Sequence, residues 1–84
     1  MRKSIYQREN AVLQALLRTS REAAGMVQVD VSERLGKPQS YVSKIERGER
    51  RLDILELRAL CQLYGKSLRD FVDEFEAALT AERS

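Results

Sequence analysis

The sequence predicts an all-α fold, a compact bundle of five helices. Apolar residues recur at helical spacing in five segments, and a glycine stands at each of the four breaks between them. β-Branched residues rarely occur in runs, which argues against a sheet. The 84 residues, of which 43% are hydrophobic, suit one small packed domain over residues 1–84 rather than a disordered segment.

The first helix is predicted to begin near Ser4, where Gln7 completes a weak capping box, and to end at Gly25. Ser20 stands in its apolar stripe, at a position where an apolar residue would pack better. The remaining members of this stripe are Val12, Leu13, Leu16 and Leu17.

Residues 28–47 are predicted to form two short helices joined by a tight turn at Gly36, which is the arrangement of a helix-turn-helix. Ser32 is small and faces inward where the two helices would cross, so their backbones can approach closely. Because Pro38 suits a first helical position, the third helix is predicted over residues 38–47. The internal seam between the helices comprises Val31, Leu35, Val42 and Ile45. The polar residues at the start of the third helix are then free to enter a DNA major groove.

The start of the second helix carries a separate signal. Val27 precedes it and cannot cap it with a side chain, so Gln28 or water must satisfy its first N–H groups. A long amide at a helix N-terminus can also touch a phosphate. Gln28 is therefore a candidate phosphate contact, with a plain exposed glutamine as the alternative.

The fourth and fifth helices complete the bundle. Asp53 and Glu56 predict a capping box at the start of the fourth helix, and Gly65 ends it. This helix is apolar on more than one side, so it is expected to be the central, buried element. Ser67 is predicted to cap the fifth helix, over residues 67–80.

The apolar stripe of the fifth helix extends to Phe75 and Leu79, beyond the point where so small a domain would end. Two arrangements account for this overhang. The C-terminal helices of two copies pack together or against the partner's body, which makes a homodimer. Alternatively, the helix folds back onto the first helix of its own chain.

Charge is distributed unevenly along the chain, although the net charge is only +2. Residues 37–51 carry five bases against two acids, and residues 70–82 carry five acids and no base. Such a chain can present one face to phosphate and keep the other away from it. Ordinary solvated helix faces are the alternative interpretation.

Several function classes have no support in the sequence. There is no histidine, and Cys61 is the only cysteine, expected to be a buried and inert thiol. No phosphate-binding glycine loop, metal-ligand cluster or separated carboxylate pair suggests an enzyme, a metal or a cofactor. No segment resembles a signal peptide or a membrane span, so the expected location is the cytoplasm, at the nucleoid through DNA binding.

Residues 17–71, and most specifically the segment QSYVSKIERGER, resemble the Xre/Cro/C1-type helix-turn-helix domain of bacterial and phage regulators. The resemblance implies a lambda-repressor-like five-helix fold that binds palindromic operators in double-stranded DNA as a dimer. Four residues depart from the usual pattern and are expected to weaken packing or capping modestly: Ser20, Val27, Val31 and Ser32.

The resemblance also implies roles for individual residues. The base-reading positions are Gln39, Ser40, Ser43 and Lys44, residue types that can pair with base edges in the major groove. The phosphate-binding positions are Gln28, Lys37, Tyr41, Arg47 and Arg50. Arg21 and Glu46 match a structural ion pair that ties the first helix to the third.

The function predicted from these observations is a sequence-specific DNA-binding transcriptional regulator, a repressor that occupies a palindromic operator as a homodimer. The alternative is a protein-interaction adaptor or an antitoxin-type partner binder on the same fold. In that alternative the acidic C-terminal helix would bind the protein partner.

Overall fold

The computed structural model describes residues 6–83, and all regular secondary structure in this range is helical. The helices are α1 (Tyr6–Ala23), α2 (Gln28–Arg34), α3 (Tyr41–Glu46), α4 (Ile54–Leu63) and α5 (Leu68–Arg83). The predicted five-helix, all-α fold is confirmed. The predicted start of the first helix at Ser4, with its capping box, lies outside the described residues.

The turn between α2 and α3 forms as the sequence predicts. Gly36 has a φ of 67°, a left-handed conformation that side chains disfavour. Its N–H donates to the Glu33 carbonyl at 3.0 Å, and the Lys37 N–H donates to the Ser32 carbonyl at 2.9 Å. This pair of bonds is the Schellman arrangement that closes a helix and turns the chain.

Helix α3 begins at Tyr41, three residues after the predicted start at Pro38. The Tyr41 N–H donates to the Pro38 carbonyl at 2.9 Å, which is an i to i−3 contact. In a continuous α-helix the Val42 N–H would bond that carbonyl, but it donates to Ser32 Oγ at 3.2 Å. The predicted start was therefore wrong, because a side chain of α2 takes a donor from the first turn.

One core lies where all five helices meet. Val31, Val42 and Ile45 of the predicted seam are buried, and Leu35 packs against them from a partly buried position. The other buried members of the core are Leu17, Tyr41, Leu60, Cys61, Tyr64 and Phe71. Burial raises the pKa of the Cys61 thiol, as expected for an inert cysteine.

Two serines that depart from the family pattern are buried with partners. Ser20 Oγ accepts a bond from Lys66 Nζ at 2.9 Å, and Lys66 also pairs with Glu74. Ser32 Oγ accepts the Val42 N–H described above. These bonds offset the packing that an apolar side chain would have supplied, because a buried hydroxyl costs little once it is hydrogen-bonded.

Helix α4 is only half buried, so the expectation that it is the central buried element was wrong for its first turn. Asp53 caps this helix as predicted, accepting the Glu56 N–H at 2.8 Å and donating its own N–H to Glu56 Oε1 at 3.0 Å. The two apolar residues that follow the cap, Ile54 and Leu55, are 65% and 74% exposed. Burial begins in the second half of the helix, with Leu60 and Cys61.

Helix α5 packs along α1 of its own chain, which is the second of the two predicted arrangements. Phe71 is fully buried, and Phe75 and Leu79 are partly buried. Arg8 Nη2 donates to the Leu79 carbonyl at 2.9 Å and ties the far ends of the two helices together. Within the described part of the chain, no helix is both long and apolar enough to cross a membrane.

Candidate nucleic-acid interface

The predicted base-reading residues lie together at the start of α3. Gln39 and Ser40 occupy the turn before the helix, and Lys44 lies one turn later; all three are exposed. Ser43 is partly buried, and its hydroxyl donates to the Ser40 carbonyl at 3.0 Å. Ser43 therefore already uses its single proton within the protein, whereas Gln39 and Lys44 present their donors to solvent.

Gln28 is the first residue of α2, and Val27 before it makes no side-chain cap, as predicted. Gln28 Nε2 donates to Glu46 Oε1 at 2.8 Å. Because a carboxylate can only accept, this bond fixes the orientation of the amide. The second Nε2 proton makes no hydrogen bond within the described residues.

Arg21 and Glu46 form a buried ion pair between α1 and α3. Arg21 Nε and Nη2 donate to the two carboxylate oxygens at 2.7 and 3.1 Å, and Nη1 donates to the Met26 carbonyl at 2.8 Å. The side chains are only 10% and 5% exposed. Hydrogen bonding to Glu46 raises the pKa of Arg21 against the opposing effect of burial, so the guanidinium stays charged.

Two predicted phosphate contacts, Lys37 and Arg50, surround the ring of a third, Tyr41. Lys37 Nζ lies 5.4 Å and Arg50 Cζ 4.9 Å from the ring centroid, within the range of cation–π contacts. Tyr41 itself is 5% exposed, so its ring is a platform for these cations more than an open surface. Burial, and then the Glu56 carboxylate, raise the pKa of Tyr41 and keep the phenol neutral.

Arg50 is also bound to the capping residue of α4. Its Nη1 and Nη2 donate to Glu56 Oε1 and Oε2 at 3.1 and 2.9 Å, and Nη1 donates to the Arg51 carbonyl at 2.7 Å. The two bonds from Arg50 to the carboxylate, and then the bond from the Asp53 N–H, lower the pKa of Glu56. Glu56 thus serves the helix cap and the loop arginine at once.

Arg47, the remaining predicted phosphate contact, is more exposed than Arg50. It donates through Nε and Nη2 to Glu49 at 2.9 and 3.1 Å, and both side chains are more than half exposed. An exposed pair of this kind contributes little to folding and can exchange its carboxylate for another anion.

Sequence reasoning missed the second role of Glu56 and the bond from Gln28 to Glu46. The capping pattern explained Glu56 fully on its own, so nothing prompted a search for a second partner. The sequence did contain a signal for the contact with Arg50, since Glu56 follows the basic loop of Arg50 and Arg51 by only a few residues. Gln28 gave no comparable signal, because its partner lies 18 residues away in the chain.

Comparison with known proteins agrees with this geometry. The family model HTH_3, described as helix-turn-helix, matches residues 17–71. A solved XRE-family like protein from Pseudomonas syringae pv. tomato is 39% identical with a TM-score of 0.81, over 88% of this chain and 90% of that chain. The structure of a wild-type restriction-modification controller protein shares the fold, at 22% identity and a TM-score of 0.77 over 93% of this chain and 99% of that one. No curated protein gave a significant match.

The family model covers more than half of the chain, and the matched residues include α2, α3, the turn between them and the ion pair from α1. The chain therefore belongs to the Xre/Cro/C1-type helix-turn-helix family of DNA-binding regulators.

Proposed function

We propose that this protein is a sequence-specific repressor that binds a palindromic operator as a homodimer, with the start of α3 in the DNA major groove. The observation that carries the proposal is the exposed polar surface formed by Gln39, Ser40 and Lys44 at the front of a helix-turn-helix. This placement matches the way such motifs present the N-terminal residues of their second helix to base edges.

The exposed side chains have the chemistry that base reading requires. The Gln39 amide can pair with adenine through one donor and one acceptor, and the Lys44 ammonium can donate to the acceptors of guanine. Ser40 adds a hydroxyl that serves as donor or acceptor. Ser43 is the weakest of the four candidates, since its proton is already bound to the Ser40 carbonyl.

Phosphate contacts on both sides of α3 would fix the register of the protein on DNA. On one side lies the free Nε2 proton of Gln28, oriented by Glu46. On the other side lie the cations Lys37 and Arg50 around Tyr41, with Arg47 at the end of α3. Glu46 itself has all its bonds within the protein and belongs to the support of this surface.

The proposed dimer draws its support from the first turn of α4. Ile54 and Leu55 are adjacent, largely exposed and immediately follow the basic loop. Exposed apolar side chains that lie together are typical of interaction surfaces. A palindromic operator with half-sites one helical turn apart requires a two-fold contact between two copies of the chain. Since α5 packs on α1, α5 is the less favoured surface for this contact.

The test of function is selection of binding sites from a random duplex library at near-physiological salt, because phosphate binding alone is salt-sensitive. Enrichment of a palindrome with half-sites about one helical turn apart supports a dimeric, sequence-specific regulator. Absence of enrichment would contradict the proposal and favour the adaptor or antitoxin-type function.

The oligomeric state is tested separately by sedimentation of the wild type and of Leu55→Glu. We expect the wild type to sediment as a dimer at micromolar concentrations and Leu55→Glu as a folded monomer. Val72→Glu is the matched control, since Val72 is an exposed apolar residue on α5. A monomeric wild type well above these concentrations would remove the dimer from the proposal.

A further inference from the structure

The guanidinium of Arg50 is fixed from two directions while one of its edges stays free. Glu56 binds the edge formed by Nη1 and Nη2, and the Arg51 carbonyl takes the second Nη1 proton. The Tyr41 ring lies against the group at 4.9 Å from Cζ. The loop arginine is therefore held in one orientation, although its side chain is 38% exposed.

The free edge has a defined chemistry. A guanidinium carries five N–H donors in one plane. The described residues use both Nη1 protons and one Nη2 proton of Arg50. The remaining two, on Nε and Nη2, point along the same edge and match two oxygens of one phosphate.

A cleft of about 260 Å³ lies beside this arginine, at the start of α3. It is lined by Lys37, Pro38, Ser40, Tyr41, Lys44 and Arg50. Three of these residues are cations, two carry a hydroxyl, and none is acidic. The cleft therefore suits a singly charged anion with several acceptor oxygens, which is the chemistry of a phosphodiester.

We infer that this cleft binds one backbone phosphate of DNA, and that Glu56 is the positioning residue that presents the free edge of Arg50 to it. The inference rests on the proposed function and identifies one part of its binding surface. The Glu56 carboxylate therefore both caps α4 and orients the arginine that would bind the phosphate.

The direction in which Glu56→Gln changes the DNA affinity distinguishes the positioning of Arg50 from a direct electrostatic effect of the carboxylate. Glu56 carries a negative charge near the bound phosphate, so its removal would tighten DNA binding if charge alone mattered. If Glu56 positions Arg50, its removal weakens binding instead, since the arginine loses its fixed orientation. Glutamine retains an oxygen that can accept the Asp53 N–H, so the helix cap is largely kept.

The experiment measures the affinity of folded variants for the duplex enriched by the wild type, over a series of salt concentrations. We expect Glu56→Gln to bind roughly fivefold more weakly, because the released Arg50 side chain must then be immobilised when DNA binds. Arg50→Gln should also weaken binding, and should reduce the slope of log affinity against log salt by about 0.9, the contribution of one phosphate contact. In the Arg50→Gln background, Glu56→Gln should no longer weaken binding, because Glu56 acts through Arg50, and only a slight tightening from the lost charge should remain.

Asp53→Ala is the matched control for the helix cap. It removes the acceptor of the Glu56 N–H but leaves the Arg50–Glu56 bonds in place. We expect it to lower the melting temperature while the affinity and the salt slope stay at the wild-type values. A loss of affinity in this control equal to that of Glu56→Gln would assign the effect to the cap and overturn the inference.

Two other results would also overturn it. One is unchanged or tighter binding by Glu56→Gln, and the other is an equal weakening by Glu56→Gln with and without Arg50. In both cases a wild type that binds the duplex leaves the proposed function standing. A wild type that enriches and binds no duplex would refute the proposed function and this inference together.

Discussion

Two of the arginine–glutamate pairs beside α3 have the same chemistry and different surroundings. Arg21 and Glu46 are almost fully buried, and the arginine uses its Nε and Nη2 edge for the carboxylate. Arg50 and Glu56 are partly exposed, and this arginine uses its Nη1 and Nη2 edge. Burial and the choice of edge together decide whether a donor remains for DNA. The first pair therefore supports the fold, and the second can face a ligand.

The largest effect is expected when the buried pair is broken. Glu46→Ala leaves the Arg21 guanidinium buried without its carboxylate, at a cost of about 3–5 kcal/mol in the free energy of unfolding. Gln28 also loses its anchor in this variant. Chemical denaturation monitored by helical circular dichroism measures the change.

A double variant provides the control for Glu46→Ala. In Arg21→Met with Glu46→Leu, neither charge is buried, and apolar side chains of similar size fill the space. We expect most of the lost stability to return. If Glu46→Ala alone is as stable as the wild type, the Arg21–Glu46 pair does not stabilise the fold, contrary to our expectation.

The next largest effect is expected in the affinity for DNA and not in the free energy of unfolding. Arg50→Gln is expected to leave the unfolding transition nearly unchanged, since its pair is partly exposed. Its affinity for the operator should fall, with a salt slope smaller by about 0.9. Titration of a labelled duplex at several salt concentrations tests this, and loss of stability without loss of affinity would reverse the roles assigned to the two pairs.

These two pairs also mark what the sequence could predict. The family resemblance placed Arg21 opposite Glu46, because both residues belong to its pattern. The glycine turns, the Asp53 cap and the five helices followed from local spacing, which needs no knowledge of the third dimension. The contact between Glu56 and Arg50 did not follow, since it depends on how the loop folds over Tyr41.

Two further features depended on packing that no local pattern records. Helix α3 begins later than the sequence predicted because Ser32 of α2 accepts the Val42 N–H. The first turn of α4 is exposed because no other helix of the described chain covers Ile54 and Leu55. Apolar composition predicted the burial of this turn, but burial requires a neighbour, and the proposed second copy of the chain would supply it.

A smaller effect is expected at acid pH. The pKa of Glu56 is lowered in the folded protein, chiefly by its bonds to Arg50. The stability it contributes is therefore present above its ordinary pKa and is lost as the pH falls through the lowered value. Glu56→Gln should flatten this part of the curve of stability against pH below about 4.5. An identical acid limb in wild type and variant would show that the Glu56 ion pair adds nothing to the fold.

The smallest effect on folding is expected for Arg47→Gln, which breaks a pair more exposed than Arg50–Glu56. Its melting temperature should match that of the wild type, since Arg47 and Glu49 are both largely in solvent. Any loss should appear in DNA affinity alone. The slope of log affinity against log salt should fall by about 0.9, the contribution of one phosphate contact. A clear drop in melting temperature would place Arg47 with the buried pair instead.

The most direct test of the central claim, that the start of α3 reads DNA sequence, is site selection with the wild type and Gln39→Ala in parallel. Gln39 is exposed, and its side chain makes no hydrogen bond within the described residues, so the variant should remain folded. We expect an enriched palindrome for the wild type and lost preference at one base pair of each half-site for Gln39→Ala. The same enriched site from both proteins, or no enriched site from the wild type, would contradict it.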